Sequence, residues 1–352
     1  MPLNTIEFID KLITNGFTHL CVVPCSFAKN IINESINNEK IEYLPSASEA
    51  VACSIAAGLK MAGKKPIVIV QSSGLTNMAS CITSLLKPYD VTFPIISSWR
   101  TYKDGDSEIQ HKHLATELPK LINAYGFKYH ILDDKKIANA IKQINISNDS
   151  HTISIIKNNS FDEVKLKEKH KLRLNDYLPR SKFLLLMNKI FQNQDILFIG
   201  TTGNTSREMY KYMPNTNNFY MAGNMGGALS LGFGAAKAGK KVIVCGGDAE
   251  FVMHTGGITT AGRDAENVDL TYILFDNKQN KSTGGQNSYQ EHLSYTHIAK
   301  NCGFDLVHNI KLVDDFEKHI HSVKGLRFIN IECDVDPEAP RPPVNIVKAN
   351  KF

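Results

Sequence analysis

The 352 residues carry 40 Lys and Arg against 35 Asp and Glu, a net charge of +5, with 42% hydrophobic and 21% charged residues. That balance excludes a disordered chain, which combines low hydrophobicity with high net charge. The basic excess is too small and scattered for a nucleic-acid surface, and the apolar runs fall far short of the roughly 20 residues that cross a bilayer. In chain order, strand-like and helix-like segments alternate. Strands are expected over 18–23, 41–44, 66–70 and 93–98, with 152–156 closing the sheet, and helices over 27–36, 48–62 and 77–86. Ser48 is placed as an N-cap. A polar stretch of alternating charge, 161–173, reads as part of a linker. The alternation then restarts, with strands over 195–199, 219–221, 241–246, 270–276 and 327–332 and helices over 206–212, 226–238 and 315–323, plus one after Asp248. Apolar runs separated by helices mean parallel strands covered on both faces. The expected division is a first domain over 1–160, a linker over 161–180 and a second domain over 181–352.

The start of the chain has no basic region followed by an apolar stretch. The seven cysteines are scattered, without a Cys-x-x-Cys. Cys21, Cys53, Cys81, Cys245 and Cys302 sit in apolar or helical contexts, where reduced core thiols are the simplest reading. A cytoplasmic location is expected.

The strongest chemical signal lies in the second half. The strand over 241–246 runs into Gly247-Asp248-Ala249-Glu250 and a helix, and the strand over 270–275 ends in Asp276-Asn277. Asp248 and Asn277 are 29 residues apart, one strand-helix-strand unit. That spacing sets both at the carboxyl ends of neighbouring parallel strands, where open α/β sheets bind ligands. A carboxylate, an amide oxygen and backbone carbonyls are hard ligands suited to Mg²⁺, and glycines before the acid let a helix N-terminus approach a diphosphate.

This arrangement resembles the diphosphate-binding motif of thiamine-diphosphate enzymes, which opens with Gly-Asp-Gly and closes with Asn. Ala249 stands at its third position, and Asp276 where many members have a first Asn. In the first half, Glu49 starts a helix after a strand, a place where the helix dipole alone favours a carboxylate. Six further segments extend the likeness: Ser46-Ala47-Ser48-Glu49-Ala50, Gln71 to Asn77, Ser98-Trp99-Arg100 with Gln110-His111, Thr201 to Glu208, Met221 to Gly226, and Ser282 to Gln286. In this order, from about Leu20 to Cys333, they resemble the phosphonopyruvate decarboxylase family, related to sulfopyruvate decarboxylase.

The resemblance implies two similar doubly wound parallel-sheet α/β domains of the thiamine-diphosphate-binding fold, a pyrimidine-binding one and then a diphosphate-binding one. It implies thiamine diphosphate and Mg²⁺ as cofactors. Glu49 would be the catalytic residue, bonded to N1′ of the aminopyrimidine and favouring its imino tautomer. Ser73, Asn77, Thr202, Gly223, Met225, Gly247, Asp248, Ala249, Glu250, Asn277 and Gln279 complete the cofactor set, with Met225 propping the bent cofactor. Asp248, Asn277 and the Gln279 carbonyl would bind the metal. His254 would either steady a diphosphate oxygen or be an ordinary helix histidine. Cys25, Ser26, Arg100, His111, Lys281, Ser282 and Thr283 would surround the substrate, with Lys103 and His113 as further cations near its tail. The implied reaction is non-oxidative decarboxylation of phosphonopyruvate, a small anionic 2-oxo acid, to phosphonoacetaldehyde and CO₂. Sulfopyruvate decarboxylation, acyloin-forming carboligation and a non-catalytic protein of the same fold are the alternatives. A homodimer or larger homo-oligomer with sites at subunit interfaces follows from the resemblance.

Overall fold

The computed structural model describes residues 2–100, 108–132, 136–336 and 338–343. They form two compact units, Met1–Lys171 with Thr283–Gln286, and Leu172–Ser282 with Asn287–Phe352. In the first unit β1 (His19–Val22), β2 (Glu42–Pro45), β3 (Pro66–Gln71), β4 (Ile95–Ser98), β5 (Lys128–Ile131) and β6 (Thr152–Ile156) make one parallel sheet, ordered β2-β1-β3-β4-β6-β5. The helices are α1 (Thr5–Thr14), α2 (Lys29–Asn38), α3 (Glu49–Met61), the short α4 (Gly74–Asn77) and α5 (Ala79–Cys81), α6 (Lys112–Ala124) and α7 (Ile137–Asn148).

All five residues of β6 and the first five of β3 are buried, which is what a strand covered on both faces requires. Leu20, Val22, Ile67, Ile69, Ile96 and Ile156 form a core with side chains from α1, α2 and α7. The opposite face of β1 and β3 carries α3. Two expectations are corrected. Residues 152–156 do not close the sheet: β5 does, a half-exposed edge strand with no apolar pattern to announce it. The helix expected over 77–86 is instead α4, α5 and a π-helical turn, Ile82–Leu86.

The polar stretch after β6 is not a free-running linker along its first part. Asn30, Asn33 and Asn37 project from one face of α2 and donate to the carbonyls of Phe161, Val164 and Lys165 at 3.1, 2.8 and 2.9 Å. The Lys167 N–H returns a bond to Asn37 Oδ1 at 2.9 Å. The spacing i, i+3, i+7 stacks these amides along the helix, and each satisfies backbone that has no sheet partner. Asp162 accepts from the Thr5 N–H at 2.7 Å, tying the same segment to the start of α1.

The second unit repeats the architecture. Its strands are β7 (Leu197–Gly200), β8 (Asn217–Tyr220), β9 (Val242–Gly247), β10 (Leu270–Asp276), β11 (Leu306–Ile310) and β12 (Leu326–Glu332), all parallel and ordered β11-β12-β10-β9-β7-β8. The helices are α8 (Arg180–Phe191), α9 (Asn204–Tyr212), α10 (Ala228–Lys237), α11 (Asp248–Met253), α12 (Gly256–Arg263), α13 (Tyr295–Asn301) and α14 (Val313–Ile320). Tyr272, Leu274 and Phe328 pack on one face with Phe251, while Phe198, Ile273, Phe275 and Ile329 pack on the other with Phe183 and Phe316. All seven residues of β10 are buried. Each unit is thus a doubly wound α/β layer, and no helix among the described residues is long and apolar enough to cross a membrane. All seven cysteines are free. Cys81 and Cys302 are only half-buried and so are not core thiols.

Candidate functional site

Four neighbouring strands of the first unit end in the residues singled out above. Beyond β2, Ser48 caps α3 in extended conformation, accepting from the Val51 N–H at 3.4 Å, and this sets Glu49 at the first helical position. Glu49 is 3% exposed. Asn77 Nδ2 donates to Glu49 Oε2 at 2.9 Å. A Cβ on Gly74 would stand 2.6 Å from Glu49 Cγ and Oε1, so only glycine fits there. A neutral amide thus holds the carboxylate in place without bringing a counter-charge to it. Ser73 Oγ, beside this group, accepts from Gln71 Nε2 at 2.5 Å.

Beyond β1 and β4 lies a second group. Cys25 is buried with its Sγ 2.9 Å from Ser98 Oγ. Arg100, 8% exposed, donates from Nη1 to Ser26 Oγ at 3.0 Å, and its guanidinium lies 4.5 Å over the Phe27 ring. Glu108 was not anticipated. Its Oε2 lies 3.4 Å from both Arg100 Nη2 and His111 Nε2 and accepts from Gln110 Nε2 at 2.9 Å. One carboxylate therefore spans the two expected cations, and the buried His111 Nδ1 has no partner. The i,i+3 pairing of Glu108 with His111 was visible in the sequence, but its meaning depends on Arg100 arriving from another strand. His113 is exposed and stands apart from this group, and Lys103 lies outside the described residues.

In the second unit β9 and β10 are neighbours, with Gly247 opposite Phe275. Gly247 is extended and passes directly into α11, so Asp248 occupies its first position, 3% exposed. Its Oδ2 is buried without a partner. Burial, and then the charge of Asp276, push the Asp248 carboxyl up to about 7. Asp276, likewise buried, is pushed up to about 6 although the Lys278 N–H bonds it at 3.1 Å. Asn277 is 6% exposed and spends its Nδ2 on the Gln279 carbonyl at 3.0 Å, which leaves Oδ1 as the acceptor of that amide. A cleft open to solvent is lined by Thr202, Met225, Asp248, Ala249, Asn277 and Gln279 among others.

An orphaned buried carboxylate oxygen, an amide oxygen and a carbonyl on one cleft suit a Mg²⁺ ion completed by diphosphate and water. A cation there would remove the penalty that raises both acids. No group of three His, Cys, Asp or Glu suited to a transition metal occurs among the described residues, and Mg²⁺ does not need one. The residues fit the ion.

Glu250 also lines this cleft, and it has a structural part besides. Its Oε2 accepts from Tyr272 OH at 2.6 Å and its Oε1 from the Ala228 N–H at 3.3 Å, so it braces α10 and β10 from inside. Gly246 is bare for the same reason, since a Cβ would meet the Tyr272 hydroxyl and Glu250 Oε2. His254 packs against Gly226, next to Met225, where a Cβ would lie 2.7 Å from its ring. Gly223 is half-buried in the loop after β8, near the Met225 turn in sequence. Lys281 and Ser282 are exposed at the cleft rim, whereas Thr283 belongs with the first unit. Arg180 was missed: it lines the same cleft, donating to Thr205 Oγ1 at 2.8 Å and Glu208 Oε1 at 2.5 Å, while its buried Nε has no partner. Thr205 and Glu208 both lie in the segment Thr201 to Glu208 quoted above, whereas Arg180 does not.

With two parallel sheets presenting these groups at their carboxyl edges, the comparisons become decisive. The chain belongs to the thiamine pyrophosphate enzyme family: residues 7–118 match its N-terminal TPP binding domain and residues 199–331 its C-terminal TPP binding domain. Among individual relatives, the phosphonopyruvate decarboxylase of Streptomyces viridochromogenes is 27% identical, covering 89% of this chain and 83% of its own. That of Streptomyces hygroscopicus is 28% identical over 85% and 79%. The sulfopyruvate decarboxylase of Methanosarcina acetivorans is 24% identical over 98% and 95%.

Proposed function

We propose that this chain is a thiamine-diphosphate- and Mg²⁺-dependent decarboxylase that converts phosphonopyruvate to phosphonoacetaldehyde and CO₂. The likeness to the two Streptomyces enzymes along most of the chain carries the reading. Bound thiamine diphosphate supplies the electron sink for loss of CO₂. In this reading Glu49 shares a proton with N1′ of the pyrimidine, and Asn77 and Gly74 keep its carboxylate oriented. Ser73, Thr202, Gly223, Gly247 and Ala249 line the cofactor with small or hydroxylated surfaces, and Met225 shapes it. Asp248, Asn277 and the Gln279 carbonyl hold the metal that offsets the diphosphate charge.

Arg100 and His111 receive the phosphonate, for which a planar guanidinium fork is well matched. Glu108 keeps both cations in place before substrate arrives. Cys25, Ser26, Lys281, Ser282 and Thr283 complete the substrate surroundings. The active form is a homodimer or larger homo-oligomer, checked by sedimentation with and without cofactor. Seven free thiols suit a reducing compartment such as the cytoplasm.

CO₂ release from phosphonopyruvate, sulfopyruvate and pyruvate tests the assignment. A kcat/KM for phosphonopyruvate orders of magnitude above that for pyruvate is expected, because a methyl tail makes none of the charge-assisted hydrogen bonds that a phosphonate makes with a guanidinium. Comparable rates on both sink it. The Methanosarcina relative, aligned over nearly the whole of both chains, makes sulfopyruvate the second reading, and a preference for that substrate would establish it.

A further inference from the structure

Behind the Glu49–Asn77 contact, α3 and α5 carry a pair of thiols that the proposed chemistry does not use. Cys53 follows Glu49 by four residues, and Cys81 follows Asn77 by four. Residues four apart share a helix face, one turn along. Met78, between α4 and α5, keeps right-handed helical backbone, so the relation holds across that joint. The two rows face each other. Asn77 binds Glu49 at 2.9 Å, and one turn on, Cys81 Sγ lies 3.7 Å from Ser54 Oγ, against the turn of α3 that carries Cys53.

The two thiols differ in setting. Cys53 is fully buried, and Cys81 is partly exposed. The neighbouring Cys53, and then Ser54, bring the Cys81 thiol down to about 7 against the effect of burial, whereas Cys81 and burial push Cys53 up. A solvent-reached thiolate backed by a buried thiol is the arrangement of an attacking and a resolving cysteine. The π-helical turn Ile82–Leu86 begins directly after Cys81. Its wider hydrogen-bonded ring is a local departure from α geometry, and it gives α5 slack to approach α3.

We propose that Cys53 and Cys81 are a reversible oxidation site, closing to a disulfide that clamps α3 to α5 one turn behind Glu49 and Asn77. With hydrogen peroxide as oxidant, the Cys81 thiolate attacks one peroxide oxygen and the O–O bond breaks, giving a sulfenic acid and hydroxide. The Cys53 sulfur then attacks the Cys81 sulfur. The S–S bond forms, the S–O bond breaks, and the hydroxyl leaves as water with the Cys53 proton. Two electrons pass from the thiol pair to peroxide, and a dithiol reductant returns them.

The 352-residue chain, loaded with thiamine diphosphate and Mg²⁺, is treated with hydrogen peroxide, alkylated and mapped by mass spectrometry. The expected product is a Cys53–Cys81 linked peptide, released by dithiothreitol, with the other five cysteines alkylated. Cys53→Ala should stop the reaction at a Cys81 sulfenic acid trapped by dimedone. It should also raise the pH of half-maximal Cys81 alkylation from near 7 toward the ordinary thiol range. Both thiols still alkylated after oxidation, Cys81 joined to another cysteine, or no reaction at Cys81 in either protein would overturn the proposal. Mapping reads covalent chemistry and not turnover, so the result stands apart from the substrate assignment.

Discussion

Gly74→Ala probes the packing that orients Glu49. The new Cβ would stand 2.6 Å from Glu49 Cγ and Oε1 and 2.9 Å from Cδ. Carbon atoms rest at about 3.5–4.0 Å, so the carboxylate must retreat by about 1 Å. The Asn77 bond, already 2.9 Å long, does not survive such a shift. Misplacing a reacting group by about 1 Å costs on the order of 10²-fold in rate, and overpacking costs about 1–3 kcal/mol of stability. Turnover should therefore fall about 10²-fold, with a Tm lower by several degrees.

Gly58→Ala, on the same helix α3, provides the contrast. A Cβ there meets nothing within 4 Å, and replacing a helical Gly by Ala stabilises by about 0.5–1 kcal/mol. Its Tm should rise and its turnover stay level. Initial CO₂ release and thermal melts of both variants, with cofactor present, read the two effects. Parental turnover in Gly74→Ala despite a lowered Tm would show that Glu49 takes no part in the chemistry. An unchanged Tm as well would refute the packing argument itself.

Glu49→Gln keeps size and the Asn77 contact but cannot exchange a proton, so turnover should drop by roughly 10²–10⁴; C2–H/D exchange of bound cofactor, read by NMR after acid quench, must slow with it. Asp248→Ala should weaken cofactor binding and abolish its Mg²⁺ dependence, measured by fluorescence titration in Mg²⁺ and in EDTA, and an unaltered Mg²⁺ response would remove Asp248 from the site. Asp248 and Asp276 sit at about 7 and about 6, above the ordinary 3.8, so the metal-free native state binds more protons than the unfolded chain between pH 4 and 7. Its stability contribution falls as pH rises through that window; melts in EDTA should show a decline that Asp248→Asn reduces, and an identical pH profile in that variant counts against the assignment. Arg100→Ala should raise KM for phosphonopyruvate by about 10–10²-fold, the worth of a charge-assisted hydrogen bond, and affect pyruvate less. Equal losses on both substrates would make Arg100 a brace for Glu108 and Ser26 and no more.

The parts of the fold legible in the sequence are those where one physical term dominates. Strands β3, β6 and β10 are buried along nearly their whole length, so unbroken apolar runs announced them. The strands β5 and β11 lie on sheet edges and are half-exposed, and Lys-Tyr-His-Ile carries no periodic signal. Ser48 was readable as a cap because its hydroxyl acts within three residues. Local chemistry also announced Asp248 and Asn277, each at the end of a buried strand.

What escaped notice depends on distant partners. Glu108 matters because Arg100 and His111 converge on it. Glu250 also accepts from Tyr272, on the adjoining strand, a brace that its place in the motif does not announce. The asparagines of α2 read as ordinary polar residues until residues 161–167 are laid against them.

That asparagine row bears on how the chain is made. The first sheet takes all its strands from residues 19–156 and the second from 197–332, so neither waits for a strand from the other. During synthesis the first set of ladders can close while the second half is still unmade, in the N-to-C order in which domains fold on the ribosome. The segment that the α2 asparagines hold emerges immediately afterwards and ends at the unit boundary, Lys171. A ribosome-stalled chain released shortly beyond that residue should therefore already protect the β1, β3 and β6 amides from hydrogen exchange. It would lack Thr283–Gln286, and with them the 2.9 Å bond that Gln286 donates to Asn33. Asn33, by then tied through its amide nitrogen to the Val164 carbonyl, should gain the bond to its Oδ1 only when translation has passed residue 286.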